Sequence, residues 1–122
     1  MVETQKLICI VDDDSSMRRA LGRLINSFGF EARLYASGRE CLDENIIDRA
    51  ACLIVDVSMP KMDGFELHTL LEESGRSVPT VFISGHVGLG YRDHAESLDA
   101  VAFLHKPCDG ALLRDAIDSA LA

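Results

Sequence analysis

The sequence has few of the features that mark secreted, membrane-spanning or nucleic-acid-binding chains. It contains no tryptophan and only 3 prolines, and its 12 lysines and arginines are outnumbered by 20 aspartates and glutamates, for a formal net charge of −8 at pH 7. A chain of this sign repels polyanions, so we expect no nucleic-acid binding by this domain itself. No apolar run approaches the ~18 residues of a membrane span, and residues 1–6 are polar, so we expect neither a membrane segment nor a signal peptide.

The spacing of the cysteines excludes two common roles. The 4 cysteines are Cys9, Cys41, Cys52 and Cys108, and no two of them form a C-x-x-C pair. Cys9 and Cys52 lie inside apolar runs, which favours buried thiols over a disulfide framework or a zinc site. Unpaired thiols are typical of a reducing compartment, so we expect a cytoplasmic location.

Short apolar runs alternate with longer amphipathic stretches along the chain. The runs lie at residues 7–11, 53–55, 80–83 and 101–104, with a weaker one at 31–35. Short runs without polar alternation are typical of strands buried on both faces of a parallel sheet. With 122 residues, of which 48% are hydrophobic, the chain can bury a real core. We therefore predict a single domain over residues 1–122.

A helix is predicted after each run: one capped by Ser15 or Ser16, one capped by Ser37, one opened by Asp63-Gly64, one over 87–98 and one over 109–121. The segment 87–98 is the weakest, because Gly88 and Gly90 fall in its first turns and each glycine costs ~1 kcal/mol relative to alanine inside a helix. A strand–helix unit repeated five times predicts an α/β fold, a doubly wound parallel sheet with helices on both faces. Any output domain is expected to be absent from this chain.

The residues that end the four strongest runs are of chemically reactive types. They are Asp12 with Asp13, Asp56, Ser84 and Lys106. The carboxyl ends of parallel strands share one edge of the sheet, where ligands bind, so we expect a single site there. Clustered carboxylates repel one another unless a cation joins them, and an oxygen-rich cluster calls for Mg²⁺. An aspartate beside Mg²⁺, a lysine and a hydroxyl is equipped for phosphoryl transfer, and Asp56, alone at the end of an inner strand, is the best acceptor.

Each of these residues also has a plain structural interpretation. Asp14 is expected to cap the first helix, Asp56 alone could be a solvated strand end, and Ser84 could serve only a turn. The histidines are weaker candidates: we expect His68, His94 and His105 on the surface and His86 at the border of the site, with a modulating role. The arginines Arg18, Arg19 and Arg23 are expected to form a solvated helix face. It is the combination of four strand ends that favours a functional site.

Several motifs together resemble a known family. They are Val11-Asp12-Asp13, Asp56-x-x-Met59-Pro60-x-Met62-Asp63-Gly64, Ser84-Gly85 and Lys106-Pro107, which resemble the signature of the two-component response regulator receiver domain over essentially the whole chain. Phe28-Gly29-Phe30-Glu31, Leu34-Tyr35-Ala36-Ser37 and Ser84-Gly85-His86 further resemble the nitrogen-fixation-regulator subgroup of Fix/LuxR-type transcription factors. Members of this subgroup usually carry a C-terminal DNA-binding domain. The resemblance implies a flavodoxin-like fold with five parallel strands in the order 2-1-3-4-5.

The resemblance also implies how the acidic cluster works. Asp56 would accept a phosphoryl group from a sensor histidine kinase or a phosphotransfer protein. Mg²⁺ would be bound directly by Asp13 and Asp56 and by the backbone carbonyl of Ser58, whereas Asp12 would act mainly through water. Lys106 would pair with the phosphoryl group. Such a domain is a signalling switch that catalyses only its own phosphorylation and dephosphorylation, not a metabolic enzyme.

The switching residues follow from the same resemblance. Ser84 would move toward the phosphoryl group, and Phe103 would turn inward in response. The face of the fourth helix and fifth strand would then change and promote a homodimer. The Lys106–Pro107 bond is expected to be cis, and Asp99 stands where the family usually has glycine, which predicts an unusual backbone there.

Two alternatives remain open from the sequence. Asp12-x-Asp14 after the first strand resembles the nucleophile motif of haloacid-dehalogenase-type phosphatases, although Asp56 would then have no role in the reaction. A degenerate receiver that serves only as a protein-interaction module is the second alternative. The intact acidic cluster argues against it.

Overall fold

The computed structural model describes residues 5–86, 88 and 90–122, and within them five parallel strands form one sheet in the order β2-β1-β3-β4-β5. The strands are β1 (Leu7–Val11), β2 (Glu31–Tyr35), β3 (Ala50–Asp56), β4 (Thr80–Ser84) and β5 (Ala102–His105). The helices are α1 (Ser15–Ser27), α2 (Gly38–Asp43), α3 (Gly64–Glu73), α4 (Tyr91–Ser97) and α5 (Gly110–Leu121), with a 3₁₀ helix at Asn45–Arg49. The predicted α/β architecture and flavodoxin-like strand order are confirmed.

The core lies on both faces of the sheet because neighbouring residues of a strand point to opposite sides. Cys9, Leu53 and Phe82 face α2, α3 and α4, and they pack in one cluster with residues such as Leu67. The opposite face of the same strands packs against α1 and α5, in a second cluster that includes Ile10, Ile54, Ile83, Leu21 and Ile117. Burial on two faces explains why β1 and β4 read as continuous apolar runs.

Most helix starts were predicted correctly from their capping residues. Ser37 caps α2, Asp63 forms a capping box with Glu66 at the start of α3, and Asp109 caps α5. The predicted capping residue of α1 was wrong, since neither Ser15 nor Ser16 caps the helix. The Asp14 carboxylate accepts hydrogen bonds from the backbone N–H groups of Ser16 and Met17 instead, as its expected capping role requires.

The fourth helix is shorter than predicted. A helix over 87–98 was expected, with both glycines in its first turns, but α4 begins only at Tyr91. Gly88 and Gly90 have φ angles of 80° and 72°, a left-handed backbone that glycine adopts without steric cost. They therefore belong to the connection before the helix, and Val87 and Leu89 lie outside the described residues.

Smaller differences concern strand ends and one special backbone. β3 is longer than residues 53–55, running from Ala50 through Asp56, and β5 ends one residue later than expected, at His105. Asp99 has a φ of 59°, and the Lys106–Pro107 bond is cis, so both predictions are confirmed. The four cysteines are free, and Cys9, Cys41 and Cys52 are buried. In the described part of the chain, no helix is long and apolar enough to cross a membrane.

Candidate functional site

Strand register brings the predicted site residues to one edge of the sheet. Val11 lies beside Val55, Asp56 beside Ile83, and Ser84 beside His105, so the carboxyl ends of β1, β3, β4 and β5 lie together. One carboxylate oxygen of each of Asp12, Asp13 and Asp56 lies within 4.8 Å of the other two. The predicted convergence of the carboxylates is therefore present.

Lys106 lies between the two buried carboxylates. Its Nζ is 3.0 Å from Asp12 Oδ2 and 3.0 Å from Asp56 Oδ2. Asp12 is fully buried and Asp56 is 4% exposed, whereas Asp13 is exposed at the rim. The contact with Asp56 has the geometry of a hydrogen bond, but Asp12 Oδ2 has no hydrogen-bond partner among the described residues. One ammonium thus serves two buried carboxylates and leaves the site with excess negative charge.

The remaining carboxylate oxygens are held by backbone groups. Asp12 Oδ1 accepts a hydrogen bond from Asp14 N–H at 2.9 Å, and Asp56 Oδ1 accepts one from Ser58 N–H at 3.1 Å. Arg18 Nη1 donates to the backbone carbonyl of Asp12 at 2.7 Å. Arg18 was expected on a solvated face, and that interpretation was wrong for this residue. A contact with a backbone carbonyl leaves no side-chain pattern in the sequence that could have revealed it.

The electrostatics of the site follow from burial and from this shared lysine. Burial raises the pKa of the Asp56 carboxyl above its ordinary value, Lys106 opposes this shift, and the charge of Asp12 adds to it. Burial acts to lower the pKa of the Lys106 ammonium, but its contacts with Asp12 and Asp56 outweigh that effect, and the pKa lies above its ordinary value. Three carboxylates share one ammonium group in this site, and their all-oxygen donor set fits a hard divalent cation.

Gly64 fixes the position of Asp56 from the other side of the strand end. Its N–H donates to the Val57 carbonyl at 2.9 Å. A Cβ atom at residue 64 would lie 2.6 Å from the backbone oxygen of Asp56, closer than atoms can pack. Only glycine lets the first turn of α3 approach the end of β3 in this way.

Ser84 and Phe103 lie beside the cluster on β4 and β5. Ser84 is fully buried, and its Oγ accepts a hydrogen bond from His86 N–H at 3.0 Å. Phe103 is 7% exposed, the inward position that the family resemblance associates with switching, and the Arg92 guanidinium lies 5.1 Å from its ring centroid. His86 is exposed next to Ser84, as expected for a residue at the border of the site.

One histidine was placed wrongly. His68 was expected on the surface of its helix, but it is 6% exposed and its Nδ1 lies 3.2 Å from Thr80 Oγ1. His68 lies on α3 and contacts the beginning of β4, whereas the acidic cluster lies at the edge of the sheet where β4 ends. His94 and His105 are exposed, as predicted.

Comparison with known proteins identifies the family. A sequence model described as the response regulator receiver domain matches residues 8–118. The chain belongs to this family. Among curated relatives, the receiver domain is 36% identical over 117 residues to nodulation protein W of Bradyrhizobium diazoefficiens, covering 96% of this chain and 52% of the relative. It is 33% identical over 118 residues to the transcriptional regulatory protein FixJ of the same organism, covering 97% of this chain and 58% of the relative.

A solved structure supports the same assignment. The structure of the response regulator StyR matches the receiver domain with a TM-score of 0.89 and 33% identity, covering 97% of this chain and 60% of that one. The resemblance to Fix-type transcriptional regulators is thereby confirmed, and the phosphatase alternative has no support. The chain spans between 52% and 58% of the length of these two curated relatives, so it corresponds to about half of each.

Proposed function

We propose that this receiver domain accepts a phosphoryl group on Asp56 from a phosphohistidine of a sensor kinase or a phosphotransfer protein. The observation that carries the proposal is the Asp56 carboxylate at the end of an inner strand, 3.0 Å from Lys106 Nζ and next to two further carboxylates. An Asp56 oxygen would form the new bond to phosphorus while the bond from phosphorus to the histidine nitrogen breaks. The result would be an aspartyl phosphate.

The acidic cluster is the proposed Mg²⁺ site. Asp13 and Asp56 would bind the ion directly, with the Ser58 backbone carbonyl as a third protein ligand. Asp12 would act mainly through water, because its Oδ1 accepts the Asp14 N–H and its Oδ2 lies against Lys106. When bound, Mg²⁺ would offset the negative charge of the phosphoryl oxygens.

Two side chains would respond to the new charge. Lys106 would exchange part of its contact with Asp56 for the phosphoryl oxygens, which carry more charge than one carboxylate. The Ser84 hydroxyl would leave the His86 N–H and donate to a phosphoryl oxygen. Phe103 lies one strand away from Ser84, so we propose that it transmits this movement to the face formed by α4 and β5.

The output of the switch is proposed from the relatives. FixJ is a transcriptional regulatory protein, and this domain corresponds to about half of it. We therefore propose a cytoplasmic domain, occupying residues 1–122, that controls an output domain or partner and dimerises in its phosphorylated form. It would act as a signalling switch that catalyses its own phosphorylation and dephosphorylation and no metabolic reaction.

Phosphorylation can be tested by intact-mass measurement after incubation with acetyl phosphate and Mg²⁺. The wild-type domain should gain one phosphoryl group, and Asp56→Asn should gain none. Asp115→Asn is a matched control, because it removes an exposed aspartate of α5 outside the site. Equal labelling of the wild type and Asp56→Asn would refute the assignment of the acceptor. Absence of labelling in all three would favour a receiver that only binds partners.

A further inference from the structure

A side chain of α1 completes the hydrogen bonding at the end of β1. The N–H group of Asp12 donates to the Tyr35 carbonyl at 3.1 Å and so continues the ladder between β1 and β2. One step further, a parallel ladder would pair the Asp12 carbonyl with the N–H group of residue 37. β2 ends at Tyr35, however, and Ser37 caps α2. The Asp12 carbonyl instead accepts a hydrogen bond of 2.7 Å from Arg18 Nη1.

The contact of Arg18 is with the backbone and not with a carboxylate. The side chain lies one helical turn from Asp12, Asp13 and Asp14, and it reaches back over the start of α1. Arg18 nevertheless takes part in none of the ion pairs formed by the described residues. A guanidinium in this place that donates to a carbonyl fixes the backbone, whereas the charge of the acidic side chains is balanced by Lys106.

Asp13 is the residue whose position this contact controls. Its carboxylate is exposed, and neither its side chain nor its backbone takes part in a hydrogen bond among the described residues. Asp14 on one side is held by its N–H bond to Asp12 Oδ1, at 2.9 Å. Asp12 on the other side is held through both backbone groups. Because the Asp12 carbonyl belongs to the planar peptide that leads into Asp13, fixing this oxygen also fixes where the Asp13 side chain leaves the backbone.

We propose that Arg18 is a positioning residue of the Mg²⁺ site. Its guanidinium holds the peptide between Asp12 and Asp13 so that the Asp13 carboxylate is presented to the ion. The inference rests on the proposed function, in which Asp13 binds Mg²⁺ directly. Groups that orient metal ligands without touching the metal typically change the affinity by about 10- to 100-fold.

The charge of Arg18 and its hydrogen bond act on Mg²⁺ binding in opposite directions. A guanidinium repels a divalent cation, so removal of its charge alone would strengthen binding. Loss of the hydrogen bond frees the peptide before Asp13, and binding would weaken because this segment must then be ordered when the ion binds. The sign of the change in affinity therefore separates a positioning role from a purely electrostatic one.

The test is a calorimetric titration of the domain with MgCl₂. Arg18→Met removes the donor and the charge but keeps good helix propensity, and it should bind Mg²⁺ about tenfold more weakly than the wild type. Arg18→Lys keeps the charge and a shorter donor, so it should lose less affinity. Arg19→Met is the matched control, because it removes the same charge from the next residue of α1, which is exposed. It should bind Mg²⁺ no more weakly than the wild type.

Two further measurements report on the mechanism. In the metal-free domain, Arg18→Met should shift the carbonyl ¹³C resonance of Asp12 and the amide resonance of Asp13, and Arg19→Met should shift them much less. Labelling of Arg18→Met by acetyl phosphate should be slow at low Mg²⁺ concentration and should return to the wild-type rate at saturating Mg²⁺. Asp56→Asn should stay unlabelled at every concentration, which separates this role from that of the acceptor.

Mg²⁺ binding by Arg18→Met as tight as that of the wild type, or tighter, would overturn the proposal. A labelling rate of Arg18→Met that stays low at saturating Mg²⁺ would also overturn it, because Arg18 would then act on a step other than metal binding. A wild-type domain that binds Mg²⁺ but is never labelled would refute Asp56 as the acceptor, and the affinities of the Arg18 variants would still decide the positioning role. A wild-type domain that does not bind Mg²⁺ would refute the positioning role together with the metal site.

Discussion

Lys106 Nζ lies 3.0 Å from Asp56 Oδ2, although the two residues are 50 positions apart in the sequence. The contact crosses β4, because Asp56 ends β3 and Lys106 follows β5. Lys106 Nζ also lies 3.0 Å from Asp12 Oδ2, so one ammonium group links the carboxyl ends of β1, β3 and β5. The charge balance of the site therefore depends on Lys106 more than on any other described residue.

Replacing Lys106 with methionine should destabilise the domain and uncouple its response. Two buried carboxylates would lose their cation, and we expect the free energy of unfolding at pH 7 to fall by about 3 kcal/mol without Mg²⁺. Urea unfolding with and without Mg²⁺ checks this, and the metal should restore part of the loss. In this variant, a beryllofluoride mimic should still change the amide NMR chemical shifts near Asp56 but should no longer change the shift of Phe103. A wild-type response at Phe103 would contradict the role of Lys106.

Removing Asp13 should weaken Mg²⁺ binding more than removing Asp12. Asp13 has an exposed carboxylate for direct coordination, whereas Asp12 is already held by Asp14 N–H and Lys106. Calorimetric titration of Asp13→Asn and Asp12→Asn gives the comparison, and EDTA should abolish phosphoryl labelling. Equal affinities of both variants, or labelling that continues in EDTA, would argue against this metal site.

Replacing Gly88 or Gly90 with alanine should destabilise the domain. Both have positive φ angles, where an alanine costs roughly 1–2 kcal/mol. Alanine would stabilise the domain if it replaced a glycine inside a helix, but at these two positions we expect the opposite sign. Gly85→Ala is the matched control, because the φ angle of Gly85 is not positive and a Cβ there meets no described atom within 4 Å. Thermal unfolding should give lower midpoints for the first two variants and little change for the third. A higher midpoint for Gly90→Ala would mean that the residue is helical.

Stability should fall as the pH rises above about 8.5, where an ordinary cysteine thiol begins to ionise. Burial raises the pKa of Cys9 to about 11 and those of Cys41 and Cys52 to about 12. The folded state therefore keeps these protons while the unfolded state loses them. The contribution of these thiols to the free energy of unfolding is fully present below pH 8.5. As the pH rises from there toward the folded pKa values, each thiol lowers the free energy of unfolding by ~1.4 kcal/mol per pH unit.

Urea unfolding between pH 8 and 9.5 measures this slope. Cys41→Ala lacks one of the three fully buried thiols and should show a smaller slope, even if its stability at pH 7 is lower. Burial also raises the pKa of the half-buried Cys108 thiol, so Cys108→Ala should reduce the slope less than Cys41→Ala does. A slope unchanged by Cys41→Ala would show that other groups cause the alkaline loss of stability.

The sequence was sufficient for the architecture and for the members of the acidic cluster. Unbroken apolar runs mark strands with two buried faces, and the residues that follow them must meet at one edge in a parallel sheet. The start of α4 was not predictable, because glycine is compatible with both a poor helix and a left-handed loop. The burial of His68 depends on how α3 is rotated against β4, and a polar residue at that boundary gives no periodic signal.

The backbone contacts of Gly64 limit which segments can be exchanged between receiver domains. Its N–H closes the connection from β3 to α3 onto the Val57 carbonyl, and its missing side chain leaves room only for the Asp56 backbone. Residues 57–64 thus form a loop of fixed length, and the hydrogen bond between its two ends lies next to the Asp56 carboxylate. Chimeric receivers can vary its side chains, which set what a partner meets at the rim, but insertions or deletions would displace the acceptor itself.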